Sequence, residues 1–244
     1  LYRQFFQCGV RVICGVGSLH WDIQVFTKLD STQDECKRLA VDGGPEGTVV
    51  QAIQQVSGRG RHGRMWLSEE GNLAMSFILR PRCEIVKVGQ ISVMVGVALA
   101  QAIGKKAQLK WPNDVLVDGR KCAGILIDSD LSGGALNWLV IGVGVNTHSA
   151  PEMGAALNVD CDEFRDAFLE NISQFYAEFR RNGFVNIRDE WLERTYPKGA
   201  VLNVGTFEGL DEWGNLIVRG AQNQLQTISA GDVFLKDRNY AAGD

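Results

Sequence analysis

The sequence lacks the residue clusters that usually mark a metal or disulfide protein. Its 244 residues hold six cysteines (Cys8, Cys14, Cys36, Cys83, Cys122 and Cys161) and three histidines (His20, His62 and His148). No two cysteines form a C-x-x-C pair and the histidines lie far apart, so the short ligand spacings of a structural zinc site are missing. The cysteines read as reduced, mostly buried small side chains of a cytoplasmic protein. No stretch reaches the roughly 18 apolar residues of a membrane span. Arg11 interrupts the apolar run from Val10 to Val16. That favours an extra strand or a lead-in segment over 1–18 rather than a signal peptide. Neither sign of charge dominates: 25 Lys+Arg against 29 Asp+Glu leave a net charge of −4. That balance argues against a protein that coats nucleic acid. A P-loop, a G-x-S-x-G elbow and an H-E-x-x-H helix are all missing.

What is there suits a folded protein with a sizeable core. Apolar residues make up 45% and charged residues 22%, which excludes a disordered tail, a collagen-like rod and a coiled coil. The length suits one large domain, or a large one and a small one. Trp21 to Leu29 reads as a strand, and Asp30-Ser31-Thr32 offers capping side chains to a helix from Gln33 to Val41. Gly47 to Val56 is β-branched, and Asn72 to Leu79 alternates as a strand. Val88 to Ile103 has helical apolar spacing and reads as a buried helix. Asp118-Gly119 is the strongest hairpin signal, with a strand on either side. Cys122 to Ile127 and Leu136 to Val145 are strands joined at Ser132-Gly133-Gly134, and Asp162 to Arg180 is an amphipathic helix. From Pro197 to Leu235 only short strands and turns appear, which suggests a small β-barrel. The expected class is α+β, a mixed sheet with flanking helices. The expected divisions are a lead-in at 1–18, a main domain at 19–195 and the small barrel at 196–244.

Three clusters carry candidate chemistry. Gly58-Arg59-Gly60-Arg61-His62-Gly63-Arg64 packs three glycines and three arginines into seven positions. Glycine lets a backbone approach a ligand, and guanidinium groups grip carboxylates and phosphates in bidentate fashion. The G-x-G-x-x-G match is set aside, because nothing helical follows and the variable positions are charged. A solvated basic turn or an RNA contact is the plainer reading of the loop alone. In Lys110-Trp111-Pro112-Asn113-Asp114, the acid lies seven positions before Lys121, and the hairpin brings the two together. An exposed ion pair would look the same. In Gly142-Val143-Gly144-Val145-Asn146, small residues at a strand end leave room for a ligand or for a closely packed neighbour.

Taken in order, these clusters, with Asp30-Ser31-Thr32, Gln55, Trp66 and Lys121-Cys122-Ala123-Gly124, closely resemble the biotin protein ligases. That resemblance spans about 20 to 235. It implies a mixed-sheet catalytic domain followed by an SH3-like barrel, with ATP and biotin as substrates and Mg²⁺ accompanying ATP. The implied reaction forms biotinyl-5′-AMP and passes biotin to a lysine of a carrier protein. The biotin carboxyl carrier domain of an acetyl-CoA carboxylase is the default partner. By the same resemblance Arg59, Arg61 and Lys121 offset the charge of the two anions, and Asp114 orients or deprotonates the incoming amine. Ser31, Thr32, Gln55, Gly58, Arg59, Lys121 and Gly124 would form the biotin site. Arg59, Arg61, Arg64, Trp66, Asn113 and Asn146 would form the adenylate site. Ser31 or Thr32 also suits a helix N-cap, and Trp66 also suits a half-buried core ring.

The pattern departs from the family in three places. Only about 20 residues precede the first motif where some members carry a DNA-binding helix-turn-helix, so no DNA repression is expected. His62 stands where Arg is common, leaving two principal arginines before Gly63. Gln33 stands where Asn is common, with little consequence expected. A homodimer through an exposed strand edge stays open. So do a lipoate-type ligase, which shares the adenylation logic, and, from another class, a nucleic-acid-binding module.

Overall fold

Alternating and β-branched runs build an eight-stranded mixed sheet in a computed structural model, which describes residues 7–14, 19–81, 83–132 and 135–236. The chain enters through β1 (Gln7–Cys14), which pairs antiparallel with β2 (His20–Leu29). Helix α1 (Thr32–Val41) then leads to β3 (Thr48–Gln55), parallel to β2. A two-residue ribbon, β4 (Gly58–Arg59) against β5 (Met65–Trp66), closes through a 3-10 turn at Arg61–Gly63. That ribbon is the Gly/Arg loop, and it precedes β6 (Leu73–Leu79). After the buried helix α2 (Val88–Ile103) come β7 (Ala107–Lys110), β8 (Asp114–Val117), β9 (Arg120–Ser132) and β10 (Ala135–Val145). The spatial order is β1-β2-β3-β6-β10-β9-β8-β7. Gly133-Gly134 of the expected turn, and 237–244 of the expected barrel, lie outside the described residues.

The Asp118-Gly119 signal holds. Both residues take positive φ (51° and 74°), the geometry of a two-residue turn that matches strand twist. Helix α3 (Cys161–Asn182) spans the amphipathic run, with Asp160 accepting from the Asp162 and Glu163 amides as its N-cap. A further helix, α4 (Val185–Glu193), had no separate signal in the sequence. Its exit covers the β7 edge, since Leu109 donates to the Arg194 carbonyl and accepts from the Thr195 hydroxyl. A small antiparallel sheet follows in the order β11 (Val201–Leu202), β12 (Gly205–Leu210), β13 (Leu216–Arg219), β14 (Leu225–Ile228).

One face of the large sheet buries Trp21, Phe77 and Ile141 against α2 and α3, with Phe77 edge-on to both Trp21 and Phe168. The other face packs Val50, Ile78 and Val140 against Cys36 and Ala40 of α1. Helix α1 covers only part of that second face. Beyond it the register places Ala74 opposite Gly144, Gly144 opposite Gly124, and Ser76 opposite Gly142. This strip of small side chains makes room for the Gln33 and Trp66 side chains that lie on it.

Candidate functional site

Sheet register gathers the candidate residues at one end of the molecule. Gln55 ends β3 beside the start of α1, Val145 ends β10 opposite Ala123, and Asp114 starts β8 opposite Gly124. The Gly/Arg ribbon arches over this end. Beneath it lies a cleft of about 660 Å³ lined by residues 57–65 together with Lys37, Leu126 and Asp128.

Every arginine of the loop is held by a partner. Arg59 pairs with Asp34 on the first turn of α1 at 2.7 Å. Arg61 donates to Asn113 Oδ1 at 3.1 Å and to the Gly231 carbonyl at 3.4 Å, and lies 3.8 Å from Asp232. Arg64 grips both oxygens of Asp232 at 3.0 and 2.8 Å. Burial pushes the Asp232 carboxyl up. The hydrogen bonds and charge of Arg64, then the charges of Arg61 and His62, outweigh that and bring it below the usual carboxylate range. Within the turn His62 adopts φ 58° and Gly63 φ 76°, which curls the loop tip tightly.

Asp114 and Lys121 do meet, at 2.7 Å across the hairpin, and Lys110 approaches the same carboxylate at 3.4 Å. Lys121 also lies 5.5 Å from the centre of the Trp66 ring. That ring rests on the glycine floor: a methyl group at Gly144 would overlap it, and one at Gly124 would come within 3.3 Å. Its Nε1 is buried without a hydrogen-bond partner. Asn113 is fixed by its amide, which donates to the Ile125 carbonyl at 2.9 Å. Asn146 is buried, its Nδ2 donating to the Lys121 and Ala155 carbonyls. It braces the strand ends on which Lys121 stands.

Where β3 ends beside α1, Ser31 caps the helix, accepting from the Asp34 amide at 3.4 Å. Thr32 turns inward. Its amide and hydroxyl both reach Gln55 Oε1, at 2.9 and 3.1 Å, and its hydroxyl meets that of Ser76 at 2.9 Å. Gln55 Nε2 faces Gly58, where a Cβ would come within 2.6 Å. Gln33, from which little was expected, is buried and joins Ser76 to Asp128.

Sequence reasoning missed five residues that build this site: Asp34, Lys37, Ser76, Asp128 and Asp232. Lys37 pairs with Asp128 at 3.1 Å, so a fourth cation borders the cleft. Ser76 had a readable signal, since it is the polar residue of an otherwise apolar strand. Asp232 had none, because only the return of the small sheet brings it to the loop. Among the described residues no group of three or more His, Cys, Asp or Glu side chains could hold a metal ion. Nor is any helix there long and apolar enough to cross a membrane.

Comparison with known proteins points to one family. Residues 25–146 match the model of the biotin/lipoate A/B protein ligase family, and residues 195–236 match that of the biotin protein ligase C terminal domain. The chain is 35% identical to the biotin–[acetyl-CoA-carboxylase] ligase of Paracoccus denitrificans, over 86% of this chain and 99% of that one. It is 31% identical to the bifunctional ligase/repressor BirA of Bacillus subtilis (strain 168), over 85% of this chain and 72% of that protein. Its fold matches the biotin protein ligase from Aquifex aeolicus in complex with biotin and ATP, with a TM-score of 0.74 and 27% identity, covering 88% and 98% of the two chains.

Proposed function

The chain belongs to the biotin/lipoate A/B protein ligase family, as a biotin protein ligase, and on that premise we propose that it attaches biotin to the biotin carboxyl carrier domain of an acetyl-CoA carboxylase or a similar carboxylase. The reaction has two steps. Biotin's carboxylate attacks the α-phosphorus of ATP and expels pyrophosphate, leaving biotinyl-5′-AMP. The carrier's lysine amine then attacks the acyl carbon, loses a proton and releases AMP.

The observation that carries this reading is the gathering of Arg59, Arg61 and Arg64 in one cleft, with Lys121 beside the Trp66 ring that lies on Gly124 and Gly144, and with the bonded polar pair Thr32 and Gln55 at the start of α1. Two anions must meet in step one. At 4 Å and an effective dielectric of 20, unit charges repel by about 4 kcal/mol. Fixed cations touching both anions remove that barrier and stabilise the charge that develops. Arg61 and Lys121 carry this work as catalytic groups, with Arg59 shared between biotin's carboxylate and the phosphate. For Arg59 to do so, its exposed bond to Asp34 must yield to the ligand. Ser31, Thr32, Gln55 and the backbone at Gly58 and Gly124 enclose biotin's rings. Arg64, Trp66, Asn113 and Asn146 shape the adenylate site, Asn146 acting by bracing its wall. Asp114 orients the carrier amine and accepts its proton. The ribbon excludes water from the anhydride when it closes.

No protein cluster among the described residues fits a divalent ion, so Mg²⁺ enters this proposal with the phosphates of ATP, and no step is routed through it. The catalytic unit is assigned to 19–195, with β1 of the 1–18 lead-in adding an edge strand to its sheet, and the small sheet domain to 196–244. The cations gather in one cleft instead of spreading over a face, so ligation without DNA or membrane binding is the activity proposed for these residues. Cytoplasmic residence follows from the carrier. A second copy would pair through β1, since the β7 edge is covered, and sedimentation would report it.

ATP–pyrophosphate exchange, run with biotin and lipoate in parallel, tests the reading. Exchange that needs biotin supports it. Exchange with lipoate alone changes the acid and keeps the mechanism. No exchange from folded protein with either acid overturns it.

A further inference from the structure

The polar side chains behind the cleft form one chain of hydrogen bonds whose direction is fixed from its far end. Gln33 Nε2 donates both protons, to Asp128 Oδ2 at 3.1 Å and to the Val140 carbonyl at 3.1 Å. Both partners can only accept, so the amide has one orientation and Oε1 must point to Ser76. Ser76 therefore spends its single proton on Gln33 Oε1, at 2.9 Å. Toward Thr32, also at 2.9 Å, the Ser76 oxygen can only accept. Gln55 Oε1 is likewise an acceptor, already taking the Thr32 amide at 2.9 Å. The Thr32 proton is thus claimed from inside the protein on both sides. What the hydroxyl can offer a ligand is lone pairs, and what Gln55 can offer is Nε2–H.

We infer that Gln33, Ser76 and Asp128 are positioning residues that set the donor and acceptor pattern of the biotin pocket. The inference rests on the proposed placing of biotin's urea ring against Thr32 and Gln55. A cyclic urea presents N–H groups and a carbonyl oxygen, complementary to an acceptor beside a donor. A dithiolane ring presents neither and would leave both protein groups unpaired, a mismatch that polar pockets reject far more strongly than a change of size. The chain also explains two features of the sheet. Gly142 is bare because a methyl there would overlap Gln33 Oε1. Ser76 breaks an apolar strand because the relay needs a hydroxyl at that point. Gln33, Ser76 and Thr32 are all buried, so no water competes for these bonds, while Asp128 anchors the chain at the surface through Lys37 at 3.1 Å.

The test compares biotin with lipoate, whose dithiolane ring carries neither the N–H that the Thr32 oxygen would accept nor the carbonyl that Gln55 would meet. Both acids are assayed by pyrophosphate exchange on the full chain. Wild type should prefer biotin by about 10²-fold or more in kcat/KM. Ser76→Ala should lose about tenfold on biotin, all of it in the KM for biotin, and no more than about twofold on lipoate, because the Thr32 hydroxyl, then held from the Gln55 side only, presents its oxygen less firmly to an N–H that biotin alone carries. Asp128→Asn alters the anchor at the surface, where folding is least at risk, and should lower the preference for biotin about threefold. Equal losses on both acids, or losses confined to kcat or to the KM for ATP, would show these residues to be structural and overturn the inference while biotin ligation stands. A folded wild type that uses neither acid would overturn the proposed function, and this inference with it.

Discussion

Replacing Asp114 by Asn separates the two steps of the proposed reaction. Its carboxylate stands between two ammonium groups, 2.7 Å from Lys121 and 3.4 Å from Lys110, with 14% of the side chain exposed. At an effective dielectric of 20 the gross attractions are about 6 and 5 kcal/mol. Desolvation and lost side-chain freedom cancel most of that. What survives fixes the Lys121 ammonium near Trp66. Asparagine keeps the shape and loses the pull. A fixed charged donor supplies roughly 3–4 kcal/mol to a transition state, and forfeiting about 1.4 kcal/mol of it slows adenylation about tenfold. Transfer loses that same share and, in addition, the orientation and proton acceptance offered to the carrier amine. The second loss is about 10- to 100-fold, for a total of about 10²- to 10³-fold. Pyrophosphate exchange reads the first step. Single-turnover transfer from preformed biotinyl-5′-AMP reads the second. Equal losses in the two assays would refute a direct role in transfer and leave Asp114 acting through Lys121 alone.

Asp232→Ala frees Arg61 and Arg64 from the small sheet. Trypsin should then cut the Gly/Arg loop several-fold faster and the KM for ATP should rise, with the KM for biotin unchanged; unchanged cleavage would show that the bond does not hold the loop. Because Arg64 keeps the Asp232 carboxyl below its ordinary range, any stability difference between the two proteins is fully present above about pH 4, and urea midpoints should converge as pH falls below that value. Gly144→Ala places a methyl where the Trp66 ring lies, so the ring must leave the floor. A shift in tryptophan emission with loss of exchange is expected, and full activity would mean that the ring's place on the floor is unimportant. Burial pushes the Cys122 thiol up to about 12 and Cys161 up to about 11. Both should stay protonated and resist iodoacetamide at pH 8 in residue-resolved mass spectrometry, and rapid alkylation of either in folded protein would contradict that burial.

The legible parts of the sequence were those where local chemistry and tertiary structure agree. Val88–Ile103 carries its own apolar spacing and is a helix over that span. Asp118-Gly119 can take two positive φ values in a row, and does. The order of the clusters around Arg59, Asp114 and Asn146 led to the ligase family. Less legible was whether a given side chain faces a ligand or the protein. Ser31 proves to be the cap, and Thr32, one position on, faces inward; only the direction of chain entry into α1 separates the two. Asn146 offered an amide for any purpose, and it is used on two carbonyls of its own chain. Gln33 looked like a neutral change from Asn because its partners, Ser76, Asp128 and Val140, lie 43, 95 and 107 positions away. Contacts of that range exist only once the sheet has formed.

The Trp111-Pro112-Asn113-Asp114 segment shows how one short stretch serves both architecture and chemistry. Trp111 is 4% exposed and donates its indole N–H to the Gly214 carbonyl at 3.0 Å, beside Gln90, which donates to the Glu212 carbonyl. These bonds fasten the β12–β13 turn of the small sheet to the hairpin that carries Asp114, through Trp111, and to α2, through Gln90. The same sheet returns at Gly231 and Asp232 to hold Arg61 and Arg64, and Arg61 in turn bonds Asn113, two residues from Trp111. Loop, hairpin and small sheet therefore close a ring of contacts. Its members differ in strength. The Arg64–Asp232 pair is 41% and 51% exposed, and such pairs contribute under about 1 kcal/mol. The Trp111 anchor combines a buried hydrogen bond with burial of a large ring, together worth several kcal/mol on the order-of-magnitude scale for such groups. The exposed Arg64–Asp232 pair is thus the weakest member, and the ring is expected to part there first while the Trp111 anchor keeps the small sheet on the hairpin. Faster trypsin cleavage of the loop in Asp232→Ala, with no new cleavage in the small sheet, is the result that checks it.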